Sequence, residues 1–361
     1  MQRPRLFLMT LIFLFILGSA LRLYQLSFQC YWTEEVYSAL MSLKNPAEIY
    51  FTVVASEFNP PGFYFLEYIT RVLLGYSEWA LRVPSLICGI LLIPSAYYLG
   101  KEYKDEIAGL ALVCFVVSSY TLFYYSQFAR GYSLSLLLFF VALLYYLKLI
   151  KGDTRWGNYL LLGVVTGLSC WAHFFSLIPL SLLWVILFIK IRPDHQSRVI
   201  VSSIVAAAIS LPLLPMIFTF INGRVYSEAM PYGLDAKTLL LMIPTEFFSS
   251  AFMVFGILVV MGAYVERRGP HLNQLLLIGV ITIIVGLLVS SVTMMYARYF
   301  LYVLPILYLA SASFISEILK GKSERVVVVV LLVFTLLLLA VQAPDFIAHY
   351  TVQQYNCSIL P

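Results

Sequence analysis

Apolar runs long enough to cross a bilayer follow one another along almost the whole chain, near 6–26, 80–99, 106–126, 132–149, 157–172, 174–190, 198–220, 246–264, 272–292, 299–318 and 325–343. At about 1.5 Å of rise per helical residue, each run reaches across a hydrocarbon core of roughly 30 Å if some tilt is allowed. A soluble core cannot absorb that much apolar surface, since 61% of the residues are hydrophobic, 11% are charged and the mean hydropathy is +0.91. The bilayer must act as solvent, and in lipid the backbone satisfies its own hydrogen bonds within helices. The expected fold class is an all-α polytopic membrane protein, a bundle of about 11 transmembrane helices.

The basic residues give this bundle an orientation. Lys101/Lys104, Lys148/Lys151/Arg155, Lys190/Arg192/Arg198, Arg267/Arg268 and Lys320/Lys322/Arg325 occupy every second loop, and with Arg3 and Arg5 they put 15 of the 23 Lys and Arg on one side. By the positive-inside rule that side is cytoplasmic, the N-terminus lies inside and the C-terminus outside. The net charge of +5 is spread over these small clusters and forms no continuous basic patch, so nucleic acid is not an expected partner. The first run carries Gly18-Ser19-Ala20 after a basic start; it reads as an uncleaved anchor, because no exported soluble domain follows it. Segment 61–75 is apolar but short, and counting it as a span would move Lys101 and Lys104 outside. It is read as a helix lying on the membrane surface. The chain is then one integral membrane domain over 1–361, in which 27–79 forms a first outer loop with juxtamembrane helices and no soluble C-terminal domain is expected. The runs show no fixed repeat and no low-complexity tract.

On this topology the unusual polar residues collect at the outer face: Arg22, Glu34, Glu35, Glu57, Asn59, Gln127, Arg130, Tyr132, His173, Arg224, Glu246, Arg298 and Tyr299. The middles of the runs hold essentially no Asp, Glu, Lys or Arg, whereas carriers coupled to ions or protons place such groups near the midplane. Chemistry at the outer interface fits better than transport. A lipid or glycolipid flippase or carrier and a non-catalytic membrane assembly protein are the competing readings.

Leu21-Arg22-Leu23-Tyr24, Trp32-x-Glu34-Glu35, Asn59-Pro60-Pro61-Gly62-Phe63-Tyr64, Ser77-Glu78-Trp79-Ala80-Leu81-Arg82-Val83-Pro84-Ser85, Gln127-Phe128-Ala129-Arg130-Gly131-Tyr132, Ala172-His173-Phe174-Phe175 and Ala297-Arg298-Tyr299-Phe300-Leu301-x-x-Leu304-Pro305 occur in this order. Over about residues 6–305 the series resembles the dolichyl-phosphate-mannose protein mannosyltransferase and aminoarabinose transferase group. That resemblance implies a GT-C fold and transfer of a sugar from a dolichyl or undecaprenyl phosphate to a lipid, glycan or protein acceptor at the extracytoplasmic face of the cell membrane. The chain departs from the group at three places. Glu34 stands where Asp is usual, Asn59 stands where His or Lys often precedes Pro-Pro, and the sequence ends about 18 residues after the last run.

The residue chemistry points the same way. A sugar phosphate already has a good leaving group, so the reaction needs a carboxylate to deprotonate the acceptor and cations to hold the departing phosphate. The catalytic candidates are Glu34, as general base, and Glu35, which orients the acceptor or pairs with an arginine. The donor-phosphate candidates are Arg130 and Arg298, whose planar forks match phosphate. Asn59, Tyr64, Gln127, Tyr132, His173 and Tyr299 are candidates for substrate contacts. Single displacement by the acceptor would invert the anomeric centre. Structural alternatives stay open: Arg130 paired with Glu57 or Glu78, Arg298-Tyr299 as an interfacial anchor, His173 as a packing residue, and Arg22 paired with a loop acid. Adjacent carboxylates can hold Mg²⁺ or Mn²⁺, but the resemblance implies no divalent ion; no cofactor or metal is expected. Of the five cysteines, Cys88, Cys114 and Cys170 lie in apolar runs, and only Cys30 and Cys357 share the outer side, which leaves a disulfide between those two open.

Overall fold

A computed structural model of the chain describes residues 5–221, 235–267, 269–290 and 295–352. Among these residues every regular element is a helix. Eight helices are long and apolar enough to cross a membrane: Arg5–Leu23, Glu78–Tyr103, Tyr132–Ile150, Pro193–Thr219, Ala236–Val265, His271–Val289, Ala297–Leu319 and Glu324–Val341. Glu106–Ser118 and Tyr120–Ser126 add a ninth if the pair, bent by 63°, is one span. The protein is an integral, multi-pass membrane protein.

The expected count of eleven is not reached among the described residues. The runs at 157–172 and 174–190 are helical but short: Trp156–Ala172 has 17 residues, and a 3₁₀ turn at Phe174–Ser176 precedes a helix of 14 residues. The break falls at His173, whose backbone is extended, at the gap between the two expected runs. The run expected at 246–264 starts earlier, at Ala236, because the Asp235 carboxylate accepts the Thr238 N–H at 2.8 Å and caps the helix there.

The chain divides into two units. One draws on the described residues up to Tyr24, Ile90–Tyr124 and those from Asp235 to His349. Its core stacks Phe115, Phe248, Phe255 and Tyr308, with ring centroids 4.8–6.0 Å apart in the contacting pairs. Lys104 ties helix ends together through Glu266 at 2.9 Å and Glu317 at 3.1 Å. Arg22, fully buried, donates to the carbonyls of Gly18 at 3.0 Å and Val116 at 2.9 Å.

The other unit comprises Gln25–Gly89 and the described residues from Tyr125 to Ile221 and from Tyr350 to Val352. Three short helices occupy its first segment: Thr33–Ser42, Pro46–Ser56 and Gly62–Leu74. Each has a local cause. Glu34 and Glu35 favour the positive end of the first, and the Glu35 carboxylate accepts the Trp32 N–H at 3.0 Å. Asn45 and Glu48 cap one another at 3.0 and 3.1 Å to start the second, with Pro46 at its first position. The third begins after Pro60-Pro61 and ends at Gly75, whose φ of +88° suits a residue without Cβ. At 13 residues it is too short to span. Gly62 lets it lie against Trp156–Ala172, since a Cβ there would come within 2.4 Å of the Trp171 carbonyl oxygen.

Cys30 is disulfide-bonded and Cys88, Cys114 and Cys170 are free; Cys357 lies outside the described residues, as do Arg3, Arg224 and Arg268.

Candidate active site

Glu34 and Glu35 are neighbours in sequence and opposites in surroundings. One helical step of about 100° turns Glu35 into the protein and leaves the Glu34 side chain partly exposed, at 24%. Glu35 is 2% exposed. Its Oε1 accepts Arg82 Nε at 3.0 Å and the Ala129 N–H at 2.7 Å, and its Oε2 accepts Arg82 Nη2 at 3.1 Å and the Trp32 N–H at 3.0 Å. Those four bonds occupy the whole accepting capacity of a carboxylate. Arg82, also 2% exposed, spends its remaining donors on the carbonyls of Leu26, Gln29 and Cys30 at 2.9, 2.8 and 3.4 Å. The pair is a fully bonded frame, with no capacity left for an acceptor molecule.

What the frame holds is the segment 127–131, the bend between Tyr120–Ser126 and Tyr132–Ile150. Glu35 grips it at Ala129, and Ser85 Oγ donates to the Arg130 carbonyl at 3.0 Å. Arg130 is thereby fixed on both sides of its own backbone. Its guanidinium, 6% exposed, lies 3.8 Å from the Glu34 carboxylate, measured from Nε to Oε2. Nη1 donates to the Tyr64 hydroxyl at 3.0 Å, Ser38 Oγ at 3.3 Å and the Glu34 carbonyl at 3.4 Å. Among the described residues every hydrogen bond of this guanidinium leaves from Nη1. Of the Nε and Nη2 edge, the pair of donors that matches a phosphate, Nε lies beside the Glu34 carboxylate, and Arg130 lines a pocket.

Asn59, Pro60, Phe63, Tyr64, Arg130, Gly131, Tyr132, Ala172 and His173 line that pocket. Five of them, Asn59, Tyr64, Arg130, Tyr132 and His173, are candidates from the sequence. The Tyr132 and His173 rings stand 5.8 Å apart, and His173 Nδ1 accepts the Phe175 N–H at 3.2 Å, which fixes the imidazole across the helix break. Gln127 is buried in the bend and does not line the pocket. Arg298 and Tyr299 belong to the other unit, in the 3₁₀ helix Ala297–Val303, where the Arg298 guanidinium stacks 4.1 Å from the Tyr296 ring centre.

Two acids without a sequence-assigned role also sit here. Glu57, at the end of Pro46–Ser56, hydrogen-bonds Tyr37. Burial raises its carboxyl above the ordinary range, opposed by the Tyr37 hydroxyl and Arg130 and reinforced by Glu34. Glu67, within Gly62–Leu74, is fully buried. The signal for Glu67 was present as a lone acid in an apolar stretch, and for Arg82 as the cation of the Leu81-Arg82-Val83-Pro84-Ser85 motif.

Residues 58–220 match the family model for dolichyl-phosphate-mannose-protein mannosyltransferase. No curated protein matches the chain in sequence. Across 99% of its length the chain resembles the crystal structure of ArnT from Cupriavidus metallidurans bound to undecaprenyl phosphate, with a TM-score of 0.66 at 15% identity. The chain has the GT-C fold. The same GT-C architecture is shared with the oligosaccharyltransferase AglB from Archaeoglobus fulgidus in complex with an inhibitory peptide and a dolichol-phosphate, at a TM-score of 0.60, 13% identity and 98% coverage of this chain. The chain spans 66% of the length of that ArnT and 56% of that AglB. The fold expected from the motif series is thus borne out, and the matched residues 58–220 include Asn59, Tyr64, Gln127, Arg130, Tyr132 and His173.

Proposed function

We propose that the protein is a membrane glycosyltransferase that moves a sugar from a polyprenyl phosphate to an acceptor at the extracytoplasmic face. The observation that carries this reading is the pairing of a partly exposed carboxylate, Glu34 at 24% exposure, with the buried guanidinium of a residue that lines a pocket. In the ground state the two neutralise one another. An incoming phosphate takes the Nε and Nη2 edge of Arg130, Glu34 turns to the acceptor, and its carboxylate removes the acceptor proton as the sugar–phosphate bond breaks. The departing phosphate keeps the pair of electrons and stays on Arg130. Attack from the face opposite the phosphate inverts the anomeric carbon. Asn59, Tyr64, Tyr132 and His173 line the space where sugar or acceptor hydroxyls would lie. Undecaprenyl phosphate in ArnT and dolichol-phosphate in AglB support a polyprenyl phosphate as the donor class. The role of Arg298 as a second phosphate ligand, and of Tyr299 beside it, rests on the motif series.

Mass spectrometry of membrane lipids and glycans from cells with and without the gene tests the activity. A difference of one sugar on a lipid or glycan is the expected result, and identical profiles would refute it. The donor contact is tested by Arg130→Lys, which keeps the charge and loses the fork. Undecaprenyl phosphate should bind about tenfold or more weakly to the purified variant, at unchanged Glu34 chemistry; equal binding would reduce Arg130 to a structural cation. The orientation is tested by thiol labelling in intact cells. A cysteine at Ser323 is expected to be shielded from an impermeant reagent and one at Ser227 to be labelled, and the reverse pattern would overturn an outer-face site.

A further inference from the structure

Glu67 is 0% exposed, and neither of its carboxyl oxygens has a hydrogen-bond partner. A buried carboxylate without hydrogen bonds or a contacting cation is among the most costly arrangements a protein can hold, and the group avoids that cost by keeping its proton. It lies one helical turn beyond Tyr64, the residue whose hydroxyl takes the Arg130 Nη1 hydrogen. Both Arg130 and Glu35 act on it electrostatically.

We propose that Glu67 is stored as the neutral acid behind the anion site and sets the positive charge that Arg130 presents to a phosphate. This rests on the reading of Arg130 as the donor-phosphate ligand. The charge count makes the role concrete. Around Arg130 lie the carboxylate of Glu34 and the half-buried acid Glu57. With Glu57 held as the neutral acid by its own burial and Glu67 neutral too, displacement of Glu34 by the phosphate leaves a net cation for the anion to meet. With Glu67 ionised, a second negative charge already answers Arg130 from inside, and the phosphate meets a neutralised site in a region of low dielectric.

The groups facing Glu67 are known from each element. Tyr64 shares its helix, Glu35 comes from Thr33–Ser42, Arg130 from the 127–131 bend, and Tyr31 and Tyr76 from the flanking loops. The other two helices packed on Gly62–Leu74 end at Glu57 and at His173. Burial raises the Glu67 carboxyl well above the ordinary glutamate value, Arg130 opposes this and Glu35 adds to it. The sign follows: the proton is held at neutral pH and lost on the alkaline side, so phosphate binding weakens as pH rises.

The test is binding of undecaprenyl phosphate to the purified full chain between about pH 6 and about pH 9, the range in which buried glutamates with raised pKa titrate. Relative to Glu67→Gln, which mimics the neutral acid and follows only the ionisations common to both proteins, wild type should lose affinity by up to about tenfold per pH unit above the Glu67 ionisation. The ligand's own second ionisation, near about pH 6 for a phosphate monoester, acts on both proteins alike. Parallel wild-type and Glu67→Gln profiles would overturn the Glu67 role and leave the Arg130 reading standing. Absence of binding at every pH would overturn the Arg130 reading, and this one with it. Infrared spectroscopy of wild type labelled with ¹³C-glutamate gives a readout independent of the variant's folding. A carboxylic-acid carbonyl band present at neutral pH and lost in alkali is expected, and a carboxylate at neutral pH would refute the proposal.

Discussion

Glu34→Gln is expected to lower turnover by roughly 10²–10⁴-fold, the usual contribution of a positioned general base, while undecaprenyl phosphate still binds. The amide keeps the size of the side chain and can still lie near Arg130, but it takes no proton from an acceptor. Glu34→Asp should retain partial activity, because the carboxylate survives with a reach shorter by one methylene. The geometry sharpens this contrast. Glu34 is the acid of the pair with an open side, 3.8 Å from a guanidinium it can exchange for the acceptor, whereas Glu35 has four bonds to maintain. Single-turnover measurements with a polyprenyl-phosphate sugar separate the binding and chemical steps. Full activity of purified Glu34→Gln would remove Glu34 from the mechanism, and full activity of both Glu34→Gln and Glu35→Gln would remove the carboxylate-base mechanism altogether.

The apolar runs were legible because a bilayer leaves little choice: a segment of about twenty apolar residues has to be helical to satisfy its backbone. The break at His173 was legible too, as the gap between two runs, but apolarity does not reveal that the helices on either side have only 17 and 14 residues. Glu34 and Arg130 stood out because charge is scarce in this chain, and scarcity makes each remaining charge informative. The division of labour inside the Glu34-Glu35 pair was less accessible. Which acid turns inward depends on Arg82, 47 residues away in sequence, and on three carbonyls that no motif encodes. Glu67 was hidden for another reason. An acid on a short surface helix ordinarily reads as its solvent face, and only the packing of Gly62–Leu74 against its neighbours reverses that reading.

The buried frame carries the largest expected effect on stability. Arg82→Met should destabilise the protein by about 3–5 kcal/mol, because removing one partner of a buried pair leaves the other as an uncompensated charge. Here the stranded group is the Glu35 carboxylate, and the carbonyls of Leu26, Gln29 and Cys30 lose their donor at the same time. Arg82→Lys is expected to recover only part of the loss, since an ammonium offers three donors from a point where the guanidinium offers five from a fork. Glu35→Gln should be milder than Arg82→Met: the amide oxygen can still accept, but its NH₂ now meets donors where the carboxylate met them with a second oxygen. Thermal unfolding in one detergent at one protein concentration compares these variants. The double variant Glu35→Gln/Arg82→Met removes both charges, so it should be less destabilised than the sum of its parents by about 1–3 kcal/mol. Strict additivity would mean that the two side chains do not depend on one another, and the frame that positions Glu34 against Arg130 would have to be sought elsewhere. Activity provides the link to function. Because Glu35 grips Ala129, one residue before Arg130, the Arg82 variants that stay folded should lose phosphate affinity along with stability, although Arg82 does not line the pocket.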